Sequence, residues 1–479
     1  MSDLCVVHAS EDEAVSSQLV TLLKQHWDVW SDADIAEGEW DKHVRAAIEQ
    51  SKGVVALLSQ EAAQKPIFKD EVRYAQKLNK FIFPFAIETA EMPLGLGSIN
   101  RTDAFGWHGE ENHRGYKALL KKIRQAMGAQ GPQRRRALVI NGKEIPLPYF
   151  VFSVSSFETQ ISPKDGLQLF TVLKQPRAAL ISAYDAWTHR KDRRFIKMAR
   201  DLLLSPCTVF LDSGNYEADR KQDQKTRKNK KGWTHQKYVE VARALSPDIA
   251  FGFDNPRPKW ARDAAAKKII AATKSDQKAI RPLSFPICPI VHVPNKREGD
   301  QLTLTDAASR IILEVARELD PIMIAIPERE LGNGIVERVK VVREIRRRLN
   351  TLGKYYPLHL LGTGNPLSMI ALSAAGADSY DGLEWCRTSG DWDTRGLFHF
   401  QHFDLFVDRY LGRIENLSVR NLIEGKNVPY PAKVACLNIE MFNDWMEDLR
   451  AMVHSGQVER WMKTVLPYAN KRLYEALSQ

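Results

Sequence analysis

Three aspartates stand where an apolar run stops. Val209-Phe210-Leu211 ends at Asp212, the run "DIAFGFD" closes on Asp254, and "GADSYDG" carries Asp381 after another short run. Burial penalises the charged form of a carboxylate, so an acid at the tip of a buried strand needs a reason. If the strands belong to one parallel barrel, three acids far apart in sequence converge on one face, where carboxyls can give or take protons. A lone strand-end Asp is equally a turn former or a helix cap. A fourth acid, Glu71, lies in a helical pattern, "KDEVRYAQKL", beside Lys69 and Asp70. It reads either as a solvated helix residue or as a carboxylate turned toward a substrate.

The elements that must position these acids follow two patterns. Up to residue 128, short apolar runs alternate with helical patterns: "LCVVHAS", "DVWSD", "GVVALLS" and "FIFPFAI" as strands, with "EAVSSQLVTLLKQH", "EWDKHVRAAIEQS" and "KDEVRYAQKL" as helices. Strict alternation predicts an α/β unit, a flavodoxin-like parallel sheet with helices on both faces. "MGAQGPQRRR", 127 to 136, interrupts it, so 129–145 is expected to be a linker. Alternation then resumes at longer spacing through "AALIS", "CTVFLD", "DIAFGFD", "CPIVHV", "PIMIAI", "LHLLG" and "ADSYDGL". Seven or eight such units predict a (β/α)8 barrel over 146–436, whose strand tips open on one face. C-terminal helices over 437–479 are expected to pack on it, with Phe442, Trp445, Leu449 and Met452 on one stripe.

Composition narrows the function classes. The chain has 479 residues, 44% hydrophobic and 27% charged, which describes a globular protein of at least two domains. No apolar stretch approaches the roughly 20 residues that cross a bilayer, and no membrane partner is expected. The first residues show no basic and apolar leader pattern. Five cysteines, never spaced as CxxC, argue for a reducing, cytoplasmic setting and against a cysteine zinc site. His108 and His113 have no third ligand nearby and read as surface residues, so no metal is expected. The net charge of +10 points weakly to a polyanionic partner. "RKQDQKTRKNKKGW" carries seven basic residues and one acid directly after the Asp212 turn. It is either a solvated loop or a phosphate grip in which Lys225, Arg227, Lys228, Lys230 and Lys231 meet nucleic acid while Trp233 stacks on a base. Arg134 to Arg136 and Arg346 to Arg348 are expected at the surface.

The first 125 residues or so resemble the TIR domain family. "VHASEDE", then Asp32, Gly38 and Trp40, the "AIEQS" helix, "VVALLS" and the helix with Glu71 and Ala75 carry the likeness. Some TIR domains cleave NAD+ and others are scaffolds, and a glutamate at the position of Glu71 marks the enzymes. The resemblance implies that NAD+ is a substrate, with Glu71 catalytic and Ser10, Asp32, Gly38, Trp40 and Phe68 around the dinucleotide. The family's Trp-Cys pair before the glutamate is Ile67-Phe68 here. Ser10 reads equally as a helix cap. The resemblance also implies self-assembly through TIR domains.

Residues 146 to 465 resemble the tRNA-guanine transglycosylase family, which exchanges guanine for a 7-deazaguanine. "FLDSGNYE", "DIAFGFDNP", "HLLGTGNPLSMIALSAAGADSYDGL" and the C-terminal "LNIEMFNDWMEDLRAMVHSGQVERW" carry the likeness, in the family's order. It implies Asp381 as nucleophile, Asp212 as acid/base, Tyr216 stacking on the base, and Asp254, His292 and Gly362 as base contacts. Gly214 and Asn215 then read as room for a flat ring. The zinc knuckle is missing, the base-reading glutamine is His292, Pro327-Glu328 replaces a glycine pair, and Glu217 stands where a glutamine is usual. Together the resemblances imply a bacterial antiphage-type TIR effector that hydrolyses NAD+ under control of a barrel binding nucleic acid or a modified nucleobase. Base exchange in DNA or RNA through Asp381 is the alternative. A non-catalytic TIR scaffold, recruiting partners by the loop around Gly38, with a ligand-binding barrel is another.

Overall fold

The computed structural model describes residues 3–24, 27–30, 40–91, 99, 101–127, 132, 134–157, 159–220, 232–256, 258–282, 285–295, 302–466 and 471–478. The chain divides into two compact units, Met1–Gln133 and Arg134–Gln479.

In the first unit, strands β1 (Leu4–Val7), β2 (Val29–Trp30), β3 (Gly53–Leu58), β4 (Phe81–Ala86) and β5 (Thr102–Asp103) form a parallel sheet in the order β2-β1-β3-β4-β5. Side chains alternate across a strand, so consecutive residues feed two cores. Leu4, Val6, Val55, Leu57 and Phe85 face one, with Leu19, Leu23, Trp107 and Tyr116. Cys5, Val7, Val54, Ala56 and Leu58 face the other. Helices α1 (Glu13–Leu23), α2 (Trp40–Gln50), α3 (Gln60–Gln64), α4 (Pro66–Lys77) and α5 (Arg114–Met127) accompany the sheet. Pro66 starts α4, where a missing N–H costs nothing, and Phe68, Val72 and Ala75 form its buried stripe.

The second unit opens with a hairpin inside the stretch expected as linker. Strands β6 (Ala137–Ile140) and β7 (Lys143–Pro146) pair antiparallel across Asn141-Gly142, both at positive φ. Leu138, Ile140 and Ile145 join Tyr149, Val151, Phe210 and Phe251 in the core, which ties this segment to the barrel.

Eight parallel strands follow: β8 (Tyr149–Val154), β9 (Ala178–Ser182), β10 (Thr208–Asp212), β11 (Ile249–Phe251), β12 (Ile287–Cys288), β13 (Ile324–Pro327), β14 (Leu358–Leu361) and β15 (Ser379–Gly382). Their order is β12-β11-β10-β9-β8-β15-β14-β13, and a single parallel bridge, Ile290 to Ala325, nearly closes the ring. The helix Ile335–Leu349 buries Val339, Val342, Ile345 and Leu349, the face its periodicity predicts. The helix Tyr430–His454 runs through the boundary expected at 436/437. Its Phe442 meets Phe150 of β8 at 4.7 Å, and Asn438 donates to the carbonyls of Trp385 and Thr388, so this helix is built into the barrel. Among the described residues no helix is long and apolar enough to cross a membrane.

Two arginines expected at the surface are structural. Arg134 Nε and Arg346 Nη2 both meet the buried Asp378, at 2.9 and 2.8 Å, just before β15. Tyr355 Oη donates to the same carboxylate at 2.7 Å and Leu358 N–H at 2.9 Å. Charge runs look solvated when their partner lies far away in sequence.

Candidate functional site

The barrel's strand tips converge on one cavity of about 220 Å³. Asp212 ends β10, Asp254 and His292 follow β11 and β12, Gly362 follows β14, and Asp381 lies on β15; all line it, as does Tyr216. A larger and more open groove, about 520 Å³ between Phe403 and Lys433, contains none of these residues and is not where the expected chemistry gathers.

Asp381 is buried and held at both oxygens. Ser153 Oγ donates to Oδ2 at 2.9 Å and Gly362 N–H to Oδ1 at 2.8 Å. The buried His359 places Nε2 at 3.3 Å from Oδ1, off the line of a hydrogen bond, while its Nδ1 meets Ser379 Oγ at 2.8 Å. Gly362 has φ +75°, and a Cβ there would meet nothing within 4 Å, which leaves space beside Asp381.

Asp212 is in different company. Its carboxyl accepts only the Gly214 N–H, at 3.1 Å, among the described residues. Burial first, then the nearby Glu217, Asp254 and Asp381, hold its pKa well above the usual carboxylate range. A carboxyl that keeps its proton is equipped to give it to a leaving group. Gly214 corrects an expectation. At φ +75°, its Cβ would fall 2.4 Å from Tyr184 N, so the glycine is required by close backbone packing rather than by room for a ring.

Asp254 and His292 pair with each other. Asp254 accepts from Ser213 Oγ at 2.5 Å, from Asn215 Nδ2 at 3.0 Å and from His292 Nε2 at 2.7 Å. His292 Nδ1 meets Glu330 Oε1 at 2.7 Å. Burial opposes charge on this imidazole, but the two carboxylates outweigh it and raise its pKa to about 9. Burial likewise works against Asp254, yet His292, Ser213 and Asn215 bring its pKa below the ordinary value. The polar atoms expected to read a base are therefore turned on one another. Tyr216 shares its ring with the Arg329 guanidinium, 4.7 Å from the centroid, and meets Phe157 edge-on at 5.6 Å.

Glu217 was legible only as a departure from a motif. It is 5% exposed; Ser155 Oγ donates to its Oε1 at 2.8 Å, and among the described residues its Oε2 has no well-formed hydrogen bond, although the Ser182 hydroxyl is close enough to work against the rise in its pKa. Burial, then Asp185, push its pKa up to about 7. Glu384, also in the cavity wall, has no hydrogen-bond partner for Oε2 among the described residues, and burial raises its pKa. Nothing in the sequence singled out Glu384, nor Ser153, Ser155 and Glu330, whose partners are distant in the chain. Trp233 is partly buried, its ring edge-on to Tyr184 at 5.6 Å, so it packs against the barrel. Lys225, Arg227, Lys228, Lys230 and Lys231 lie outside the described residues.

In the first unit, Glu71 is half-buried on the flank of α4, between Phe68 and Val72 on the buried stripe. Phe68 is closed off in the core, so this arrangement does not offer its ring to nicotinamide. Ser10 is exposed in a short 3-10 turn, where its Oγ donates to Glu11 Oε2 at 3.0 Å and forms no helix cap. Behind it Asp12 is buried and accepts from Ser59 Oγ at 2.6 Å; burial raises its pKa. Asp32 and Gly38, and the side chain of Trp40 at the start of α2, lie outside the described residues. His108 N–H donates to Glu110, and His113 Nδ1 accepts from Gly115 N–H. Among the described residues no cluster of His, Cys, Asp and Glu has the geometry to hold a metal.

Residues 4–120 match the family described as TIR domain, and the N-terminal unit is a TIR domain. The match supports a TIR-type signalling or NAD-cleaving role. No curated protein matches the chain. The match ends at residue 120, so the reading of the barrel rests on its own geometry.

Proposed function

We propose that the TIR domain hydrolyses the N-glycosidic bond of NAD+, releasing nicotinamide, and that the barrel controls it by binding a nucleobase or nucleic acid at the Asp212–Asp381 cavity. Nicotinamide departs readily and leaves an oxocarbenium-like ribose. A carboxylate held against that sugar stabilises the transition state more than the ground state. Glu71 takes that role. The observation that carries the reading is the TIR match over 4–120, with a glutamate half-buried on the flank of α4. TIR domains commonly self-associate, so cleavage is expected to rise on assembly, as suits an antiphage effector. The test is NAD+ loss by the purified chain, with and without nucleic acid from phage-infected cells, for the parent and Glu71→Ala. The parent consumes NAD+ and responds to the addition, and the variant is slower by about 100-fold or more. Equal rates overturn the assignment.

One observation favours a second reading, in which the barrel itself exchanges bases: Asp212, whose pKa burial and the neighbouring acids raise well above the usual carboxylate range, lines the same cavity as Asp381. Asp381 would attack the sugar C1′ as the C1′–N bond breaks, and Asp212 would deliver its proton to the departing ring nitrogen. Incorporation of a labelled 7-deazaguanine into DNA or RNA, abolished by Asp381→Ala, would establish it. No incorporation by the parent removes it.

A further inference from the structure

The open groove between the helices Phe403–Leu411 and Leu417–Glu424 shares no residue with the strand-tip cavity. We propose that it seats a short basic amphipathic helix of a partner protein, with apolar side chains in its floor and Lys or Arg against its lips. Phe403, Val407 and Leu411, at i, i+4 and i+8, form an apolar row about 12 Å long. Asp404 and Asp408, each one residue further on, form an exposed acidic row beside it. Across the groove Ile423, Val428 and Tyr430 continue the apolar floor. Exposed Glu424 stands at the C-terminal, negative end of its helix. Among the described residues Lys433, on the first turn of Tyr430–His454, is the one cation in the wall.

Charge decides what fits. The helix Phe403–Leu411 sorts its charges by face: Arg409, and Arg413 just beyond its end, pair with Asp393, Arg413 Nη1 at 2.6 Å. Its acids face the groove. Among the described residues Asp404, Asp408 and Glu424 form no ion pair, with Lys433 or with any other cation. An acidic lip on a chain of net charge +10 repels the phosphates of nucleic acid and favours a cation. The apolar row asks for more than a solvated charge. A facing helix with anchors at i, i+4 and i+7 spans about 10 Å, and its flanking Lys or Arg then lie along the acidic row. At about 520 Å³ the groove falls in the size range of built binding sites. The occupant is not a helix of a second copy: among the described residues each helix of this chain exposes at most one large apolar side chain.

Fluorescence anisotropy of the full chain with two labelled, end-capped helical peptides tests this. Both carry leucines at i, i+4 and i+7; one has lysine and the other glutamate at the flanking positions. The lysine peptide should bind about tenfold tighter, and raising the ionic strength from about 0.05 to 0.5 M should erase most of the difference. Asp408→Lys combined with Glu424→Lys, both at exposed positions, should reverse the order and favour the glutamate peptide. Val407→Gln makes the floor polar without changing charge and should weaken both peptides by about tenfold. No binding of the lysine peptide, or equal binding of the two by the parent, overturns the proposal. An unchanged preference in the double variant places the binding elsewhere on the protein and overturns the groove as its seat. Dimerisation of the parent in sedimentation, lost in Val407→Gln, would show that a second copy fills the groove and overturns the foreign partner.

Discussion

Strand β15 has a buried aspartate at each end, and the two keep opposite company. Asp378, before the strand, meets Arg134, Arg346, the Tyr355 hydroxyl and the Leu358 N–H. Asp381, at the mouth, has Ser153, the Gly362 N–H and an ill-aligned His359, with no lysine or arginine paired to it among the described residues. A buried acid with complete neutralising partners is part of the frame. A buried acid without a counter-ion is unfinished, and in a barrel it lies on the face where ligands arrive. Glu71 extends the contrast: it lies half-buried on a helix flank rather than at the mouth of a barrel.

The contrast breaks if the two ends respond alike. Asp378→Ala leaves two arginines facing a hole and should cost about 3–5 kcal/mol, seen as a large fall in the denaturant midpoint. Asp381→Asn removes a carboxylate that has no counter-ion and should stay within about 1 kcal/mol of the parent. Equal losses would dissolve the distinction.

A smaller effect comes from the Asp254–His292–Glu330 group. Removing the imidazolium with His292→Gln leaves two carboxylates without their cation, at a cost of roughly 2–3 kcal/mol near pH 6.5. His292 is raised from 6.5 to about 9 in the folded chain. Its contribution is therefore complete below the unfolded value and is lost as pH rises through about 9. Urea unfolding should show the gap between parent and variant closing across that window. A gap that widens with pH would contradict the pairing.

The smallest effect sharpens the comparison from the other side. Glu217 is raised from 4.5 to about 7, so the folded state binds its proton more tightly than the unfolded state. Stability is lost as pH rises through this interval, and the penalty is complete above about 7. Glu217→Gln should therefore be about 1–2 kcal/mol more stable than the parent at alkaline pH and level with it near the unfolded value. A variant less stable than the parent at alkaline pH would show that the carboxylate is paired in the fold.

What the sequence revealed follows from which forces are local. Strand and helix alternation is written in neighbouring residues, so the parallel sheet of the first unit and the barrel strands around Asp212 and Asp381 were readable. The hairpin over 137–146 was readable too, from Asn141-Gly142 between apolar residues, but the basic triplet before it suggested a linker. Pairings between elements distant in the chain, 38 to 244 residues apart, were not: Arg134 with Asp378, Ser155 with Glu217, His292 with Glu330. Each was mistaken for a surface charge or left unremarked because only the fold brings its partner close. Gly214 failed for a related reason, since Tyr184, the atom group it must accommodate, lies thirty residues earlier in the chain.

The central claim is that Glu71 is the acid that opens NAD+. The direct measurement is nicotinamide release by concentrated full-length protein, comparing the parent, Glu71→Gln and Asp381→Asn. The account predicts release by the parent and loss of nearly all of it in Glu71→Gln. It predicts that Asp381→Asn retains the catalytic capacity and alters only its response to added nucleic acid. Nicotinamide release by Glu71→Gln at the parent's rate would contradict it.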